Sequence, residues 1–195
     1  MSVTYTNGKV LLPIHKNAST WLRLMMKTIL TPGISNNNWN ASSYPTNSVI
    51  TFVRNPWDRI LSGYLYNKKA WCNPKWGQEK EYGPFPDFIT YLKEIERAGG
   101  PYETKWQSFR RQADYIDVIE KDLFFLGRFE TLKEDLKKVC DKMEVEMPKE
   151  EPSKRNESRG KEGGPFGYRD YYTEETKKIV ENIYSADCIR FGYEF

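Results

Sequence analysis

The chain has 195 residues and a formal net charge of +3, and 15% of its residues are aromatic. A chain of this length buries roughly 70% of its unfolded surface, and so many bulky side chains exclude intrinsic disorder. The small basic excess argues against a dedicated nucleic-acid binder and favours a small anionic ligand. We therefore predict one folded domain over residues 1–195.

Targeting and cysteine patterns predict a cytoplasmic protein. No apolar run approaches the roughly 18 residues that a membrane span needs, and residues 1–9 lack the pattern of a secretory signal. The three cysteines, Cys72, Cys140 and Cys188, are odd in number and form no CxxC pair. They therefore predict neither a disulfide framework nor a zinc site. We expect no metal and no membrane or nucleic-acid partner, and the sequence leaves the oligomeric state open.

Strands and helices alternate in the first part of the chain. An apolar run predicts a strand over residues 9–14, and residues 19–30 predict a helix opened by hydroxyl residues that can cap it. Residues 31–47 are rich in Asn, Ser, Pro and Gly and predict a connection, whereas residues 48–53 predict a buried strand. Asn55 as a cap and Pro56 in the first turn predict the next helix.

The remaining elements complete the pattern of an α/β protein. Residues 71–86 and 148–167 predict loops, residues 88–95 a helix, and residues 115–119 and 123–126 strands. Thr131 with Glu134 predicts a capping box, and residues 173–184 predict a last helix before a short apolar tail. We predict an α/β sandwich with a mostly parallel central sheet. Ligands of such folds bind beyond the carboxyl ends of the strands.

A first group of polar residues lies between the first predicted strand and helix. Amides at a helix N-terminus carry partial positive charge, the hydroxyls of Ser19 and Thr20 add donors, and Lys16 supplies a full charge. This combination suits phosphate, although an exposed lysine beside a capped helix is the alternative interpretation. The GxxxxGK[ST] signature of nucleoside-triphosphate P-loops is absent.

A second group of polar residues follows the next predicted strand. Arg54 ends the strand, and Ser62 lies off the apolar stripe of the helix that follows. An arginine offers a planar donor fork that phosphate accepts bidentately, and a serine hydroxyl can complete the site. The alternative is a surface arginine with a solvated serine.

The two groups together resemble the sulfotransferases that use 3′-phosphoadenosine 5′-phosphosulfate (PAPS), in particular the carbohydrate-type, Golgi carbohydrate sulfotransferase-like branch. The stretch HKNAST, which begins at His15, is similar to that family's 5′-phosphosulfate loop, and VRNPWDRILSGY, from Val53, is similar to its 3′-phosphate motif. The likeness continues through residues 86–92, 125–132 and 168–172 to residues 191–193. The resemblance implies a three-layer sandwich with a P-loop-like nucleotide-binding fold. It also implies transfer of a sulfuryl group to a hydroxyl, with an amine as second choice, of a carbohydrate-like or small-molecule acceptor.

The resemblance also implies roles for individual residues. Lys16 would contact the bridging oxygen of the phosphosulfate, and residues 17–20 would hold the 5′-phosphate. Arg54 and Ser62 would bind the 3′-phosphate of the product, 3′-phosphoadenosine 5′-phosphate (PAP). In the first loop the expected nucleotide contacts are Asn17, Ala18, Ser19, Thr20 and Trp21. Either Trp21 or Phe129 would stack on adenine. A segment that covers the nucleotide would contribute Arg159, Gly160, Lys161 and Tyr168.

The catalytic base is less clearly marked. In the carbohydrate branch a His-Trp pair commonly precedes a Gln-x-Asp-Tyr stretch, but here Lys105 or Ser108 stands at the place of that histidine. His15 is the first candidate, because it directly precedes Lys16, and a structural residue at the strand end is its other interpretation. The carboxylates that follow as candidates are Glu79, Glu81, Glu103 and Asp114.

Two other functions stay open at this level. Because the histidine of the family is missing, the chain can be a catalytically impaired protein that binds PAPS or another nucleotide. An ATP-dependent phosphotransferase of similar fold is the second alternative, and it would need magnesium ligands. Animal members of the branch are usually anchored in the Golgi, so the missing anchor predicts a soluble bacterial or viral member.

Overall fold

The structure is a computed structural model that describes residues 2–36, 44–71, 83–97, 107–150 and 167–195. It divides into two compact units. Of the described residues, the first unit contains 2–36, 44–54 and 112–150, and the second contains 55–71, 83–97, 107–111 and 167–195. All strands of the described sheet lie in the first unit.

The sheet of the first unit has five strands in the order β3-β1-β2-β4-β5. The strands are β1 Ser2–Tyr5, β2 Val10–Leu11, β3 Pro32–Asn36, β4 Val49–Val53 and β5 Leu123–Arg128. β2 pairs with β4, and β4 with β5, in parallel, whereas β1 runs antiparallel to both β2 and β3. The predicted α/β class is confirmed, while the three-layer arrangement and the P-loop-like character stay predictions.

The described sheet is mixed, so the prediction of a mostly parallel sheet is wrong. β1 and β2 are joined by a tight turn in which Gly8 has a φ of +80° and the Tyr5 amide donates to the Lys9 carbonyl. A connection this short permits only antiparallel pairing. β3 falls in the segment that was expected to be a connection, because its proline and glycine mask a strand that pairs at the sheet edge.

Seven helices accompany the sheet in the described residues. They are α1 Ser19–Ile29, α2 Pro56–Trp71, α3 Phe85–Arg97, α4 Gln112–Ile119, α5 Leu132–Lys142, α6 Glu174–Ile183 and α7 Ser185–Phe191. The expected helices at residues 19–30, 88–95 and 173–184 are confirmed, as are the strands at 48–53 and 123–126. Residues 115–119 form part of α4 instead of a strand, because their buried side chains follow helical spacing. None of the described helices is long and apolar enough to cross a membrane.

Each unit has its own hydrophobic core. In the first unit, aliphatic and methionine side chains of α1 and α5 pack on the sheet, with Met25, Met26 and Leu136 fully buried. In the second unit, the core is largely aromatic and is built by α2, α3, α6 and the segment around Phe109. α7, where only an apolar tail was expected, contributes Phe191 as a buried side chain.

Of the helix caps predicted from the sequence, the one at Asn55 is confirmed and two differ, and Thr173 forms a further cap. The Asn55 side chain accepts hydrogen bonds from the first turn of α2, and Thr173 forms a capping box with Thr176 at α6. α1 begins after Ala18, with no side-chain cap, because Ser19 and Thr20 already lie in the helix. The Thr131 hydroxyl donates to Asp135 at 2.9 Å and forms no capping box with Glu134.

Candidate functional site

Three of the predicted site segments lie at one edge of the sheet in the first unit. β2, β4 and β5 are parallel, so their carboxyl ends share this edge. The Lys16 loop follows β2, Arg54 follows β4, and Phe129 follows β5. The Phe129 amide donates to the Val53 carbonyl at 2.7 Å, which continues the pairing of β4 and β5 to the ends of the two strands. This is the edge where open α/β sheets bind ligands.

The loop before α1 has an unusual backbone. Lys16 and Ala18 have φ values of 70° and 56°, in the left-handed region that side chains with a Cβ seldom occupy. Such residues cost of order 1–2 kcal/mol each, and strain of this kind clusters at ligand-binding sites. Alternation between left-handed and other conformations turns successive amides toward one point, which is a common way to bind an anion.

The N-terminus of α1 has no acidic neighbour in its first turn. All other described helices, α2 to α7, have an aspartate or glutamate in that turn. Among described residues, no hydrogen-bond acceptor contacts the amides of Ser19, Thr20 and Trp21. The positive end of the α1 dipole is therefore suited to an external anion.

The Arg54 guanidinium is held close to this loop. Its side chain is only 7% exposed, and Nη1 donates to the Lys16 carbonyl at 2.7 Å. The guanidinium carbon lies 3.9 Å from the centre of the Phe129 ring, in a cation–π contact. The cation is thus fixed between the Lys16 loop and the residue that follows β5.

Gln112, the first residue of α4, joins the same segments from inside the unit. It is fully buried, and its Oε1 accepts from Asn17 Nδ2 at 2.7 Å and from the Arg54 amide at 2.9 Å. Its Nε2 donates to the Arg54 carbonyl at 2.8 Å. Gln112 opens the Gln-x-Asp-Tyr stretch that is part of the family resemblance, but it is not among the site residues predicted from the sequence.

Asn17 is buried beneath the loop, with 1% of its surface exposed. Its Nδ2 donates to the Phe52 carbonyl and to Gln112, each at 2.7 Å. Its Oδ1 is buried and has no hydrogen-bond partner among the residues that the structure describes. Asn17 is therefore an internal support of the loop that retains an unused acceptor.

The other predicted site residues lie on α1, in the second unit or outside the described residues. Trp21 packs against the core of the first unit. Ser62 is a buried residue of α2, and Tyr168 lies in a 3-10 turn with its ring 5.7 Å from that of Phe195; both belong to the second unit. Arg159, Gly160 and Lys161 lie outside the described residues.

The candidate bases are only partly described. His15 is half-buried in the turn before Lys16, and Asp114 is half-buried in the first turn of α4. Ser108 is buried in the second unit. Lys105, Glu79, Glu81 and Glu103 lie outside the described residues. In the described part of the chain, no three His, Cys, Asp or Glu residues are grouped so that they could hold a metal ion.

Comparison with known proteins gives one match. A family model described as "Sulfotransferase family" matches residues 10–194. That range covers most of both units, and it includes all the site residues predicted from the sequence. No curated protein and no solved structure gives a significant match to the chain.

Proposed function

Because the chain belongs to the sulfotransferase family, we propose that it transfers a sulfuryl group from PAPS to a hydroxyl of a carbohydrate-like or small-molecule acceptor. The donor follows from the family resemblance of the HKNAST and VRNPWDRILSGY stretches. The acceptor class follows from the likeness to the carbohydrate-type branch.

The observation that carries the proposal is the anion-binding character of the α1 N-terminus. Its amides lack acceptors among the described residues, its first turn has no acidic side chain, and Lys16 precedes it. These features suit the 5′-phosphosulfate end of PAPS, because helix N-termini and lysine both stabilise a dense negative charge. The left-handed backbone at Lys16 and Ala18 supports the same conclusion.

Each residue at this edge has a distinct task in the proposed reaction. When bound, PAPS supplies an activated sulfuryl group and leaves as PAP. The Lys16 ammonium neutralises the charge that develops on the leaving phosphate, and the amides at the start of α1 hold the same phosphate. Positioning and charge stabilisation provide the catalysis, since the donor is already activated.

We assign the 3′-phosphate to Arg54. Its guanidinium has a planar fork of donors that suits phosphate, and its contacts with the Lys16 carbonyl and the Phe129 ring fix its orientation. Ser62 stays a predicted partner of this phosphate. His15 is the proposed base for the acceptor hydroxyl, because its position in the chain is next to Lys16.

The first test is a calorimetric titration with PAP, AMP and ATP in one buffer, since it requires no knowledge of the acceptor. We expect PAP to bind at least tenfold more tightly than AMP, because only PAP has the 3′-phosphate. A preference for ATP would favour the phosphotransferase alternative. Absence of nucleotide binding would contradict the proposed cofactor site.

The second test follows transfer from labelled PAPS to a panel of hydroxyl acceptors. Lys16→Ala should reduce turnover roughly 100-fold, the effect typical of losing one charge-stabilising donor. Lys27→Ala is the matched control, because it removes the same charge from the exposed last turn of α1. PAP binding without transfer to any acceptor would favour the catalytically impaired alternative.

A further inference from the structure

One buried amide connects the two segments of the first unit that carry the proposed phosphate contacts. Gln112 accepts from the side chain of Asn17, which lies in the loop after β2, and bonds both the amide and the carbonyl of Arg54 after β4. These bonds are 2.7 to 2.9 Å long, and Gln112 is fully buried. They connect segments that are far apart in sequence.

The pattern of bonds requires a carboxamide. At Arg54, Gln112 pairs with the backbone as a neighbouring strand would, with one acceptor and one donor on the same planar group. The oxygen that pairs with the Arg54 amide also receives the Asn17 Nδ2 hydrogen. A side chain of similar size without an amide would leave three buried polar groups without their partner, which is costly in a core.

The same bonds fix the positions of the Lys16 loop and of the Arg54 backbone. Asn17 Nδ2 is held by Gln112 and by the Phe52 carbonyl, so the amide of Asn17 cannot rotate without losing both bonds. Gln112 bonds to both the amide and the carbonyl of Arg54, so the backbone that carries the guanidinium has a fixed position. The guanidinium itself donates to the Lys16 carbonyl. Pre-organised donors bind a ligand without paying an ordering cost at binding.

We propose that Gln112 is a positioning residue. It keeps the Lys16 loop and Arg54 in fixed relative positions, so that both bind one nucleotide. The inference rests on the proposed function, because the nucleotide is the one assigned there. Gln112 itself touches no phosphate in this proposal; it acts through Asn17 and the Arg54 backbone. Its removal should therefore weaken the discrimination between PAP and AMP, not only the stability of the fold.

The test compares Gln112→Met with Ile116→Val, a conservative change at a fully buried position of the same helix. Met keeps the length and apolar volume of Gln112 but removes the amide. Calorimetry should show that Gln112→Met binds PAP about tenfold more weakly than the wild type does. The change for AMP should be smaller, because AMP lacks the 3′-phosphate that Arg54 is proposed to bind. Ile116→Val should keep the PAP to AMP ratio of the wild type.

Hydrogen exchange gives a readout that does not depend on the nucleotide. The Arg54 amide should exchange faster in Gln112→Met than in Ile116→Val, because its acceptor is the Gln112 oxygen. A ratio of PAP to AMP affinity equal to that of Ile116→Val would overturn the positioning role while leaving the proposed function intact. Failure of the wild type to bind PAP would instead contradict the proposed function.

A measurement on the wild type covers the case in which Gln112→Met does not fold. The side-chain amide resonances of Asn17 and Gln112 should both shift when PAP is added, since the two amides are bonded to each other. AMP should shift them less. If PAP binds and neither resonance moves, Gln112 does not act on the site and the proposal fails.

Discussion

The two units use their buried polar side chains differently. In the second unit, Arg59 and Tyr184 are fully buried in an aromatic core, and both donate to main-chain carbonyls, those of Arg110 and Phe109 respectively. Burial raises the pKa of the Tyr184 hydroxyl well above its ordinary value, so it stays a neutral donor. These side chains hold irregular backbone in place, which is a structural task.

In the first unit, the buried polar side chains support a loop that still has unused groups. Gln112 and Asn17 bond to each other and to backbone, yet Asn17 Oδ1 and the first amides of α1 have no partner among the described residues. Helix N-terminal amides without an internal acceptor can bind an external anion, whereas the unused acceptor of Asn17 needs a donor and does not itself favour a phosphate. Burial of polar groups alone does not identify a site, and neither does a single unpartnered atom, because Asn67 Nδ2 in the second unit is also buried without a partner among the described residues. The first unit differs because the unused amides of α1 follow Lys16 directly in the chain.

We expect the greatest loss of stability when alanine replaces a glycine that packs against an aromatic ring, and each core offers one such glycine. A Cβ on Gly127 of β5 would lie 2.3 Å from the Phe52 ring, whereas one on Gly63 of α2 would lie 2.7 Å from the Phe109 ring. Gly127→Ala should lower the free energy of unfolding by about 3 kcal/mol, the upper range for overpacking. Gly63→Ala should cost about 1 kcal/mol, because alanine favours a helix and offsets part of the clash.

Urea denaturation of the three proteins measures both values. The double variant Gly127→Ala, Phe52→Leu is the control, since a smaller side chain at 52 should recover part of the lost stability. Equal losses for the two glycine variants would show that the ring packing of the two cores does not differ as described.

The next effect tests whether the edge of the first unit is the anion site. Arg54→Ala should weaken PAP binding by about 2 kcal/mol, because it removes a charge-assisted donor fork. Arg97→Ala, which removes the same charge from the exposed end of α3, should leave PAP affinity unchanged. Calorimetry of both variants distinguishes a specific contact from a general loss of positive charge.

Much of the fold was predictable because local signals agreed with the tertiary structure. The β-branched run at 48–53 is a fully buried strand, and the Asn55 cap places the start of α2 correctly. β3 was not predictable in this way, because it depends on pairing with a distant strand, which a local pattern does not contain. The helical spacing of Tyr115, Ile116 and Ile119 is present in the sequence, but an apolar run this short fits a strand equally well.

For the site, the sequence identified the charged residues but not their support. Lys16, Arg54 and Phe129 were selected, and the structure brings Arg54 into contact with the other two. Gln112 opens the Gln-x-Asp-Tyr stretch, but an uncharged side chain does not by itself predict a phosphate contact, and its role appears only in its bonds to Asn17 and Arg54. A sequence motif predicts residues that contact a ligand more readily than residues that hold those contacts in place.

A third prediction concerns the turn that presents Phe129. Asp135 on α5 accepts from the Arg128 amide at 2.8 Å, from the Thr131 hydroxyl at 2.9 Å and from Lys138 at 2.6 Å. Asp135→Asn replaces one acceptor oxygen with a donor and should lower the free energy of unfolding by about 1.5 kcal/mol at neutral pH. Asp141→Asn, which breaks an exposed pair with Lys137, should change stability by less than about 0.5 kcal/mol.

The Asp135 effect should also depend on pH. Burial acts to raise the pKa of this carboxyl, but the hydrogen bonds from Lys138, the Arg128 amide and Thr131 outweigh it and bring the pKa below its ordinary value of 3.8. A lowered pKa contributes stability that is present above the unfolded pKa and is lost as the pH falls through the folded one. The stability gap between wild type and Asp135→Asn should therefore be constant near neutral pH and shrink below about pH 4. A gap that stays constant to pH 2 would contradict this account.

The smallest change in stability comes from backbone strain, which also differs between the two units. The first unit places Lys16 and Ala18 in the left-handed region, whereas the second unit uses Gly192, with a φ of 65°, to end α7. Gly192→Ala should therefore cost about 1 kcal/mol, because alanine gains a strained conformation there. Lys16→Gly should be more stable than Lys16→Ala by a similar amount, about 1 kcal/mol, since glycine relieves the strain while both variants lose the charge. Thermal unfolding measures the stabilities, and PAP titration shows the separate loss of charge. If Lys16→Gly and Lys16→Ala unfold at the same temperature, the loop stores no strain, and only the unused amides of α1 and its first turn without an acidic residue would then distinguish it from the helix ends of the second unit.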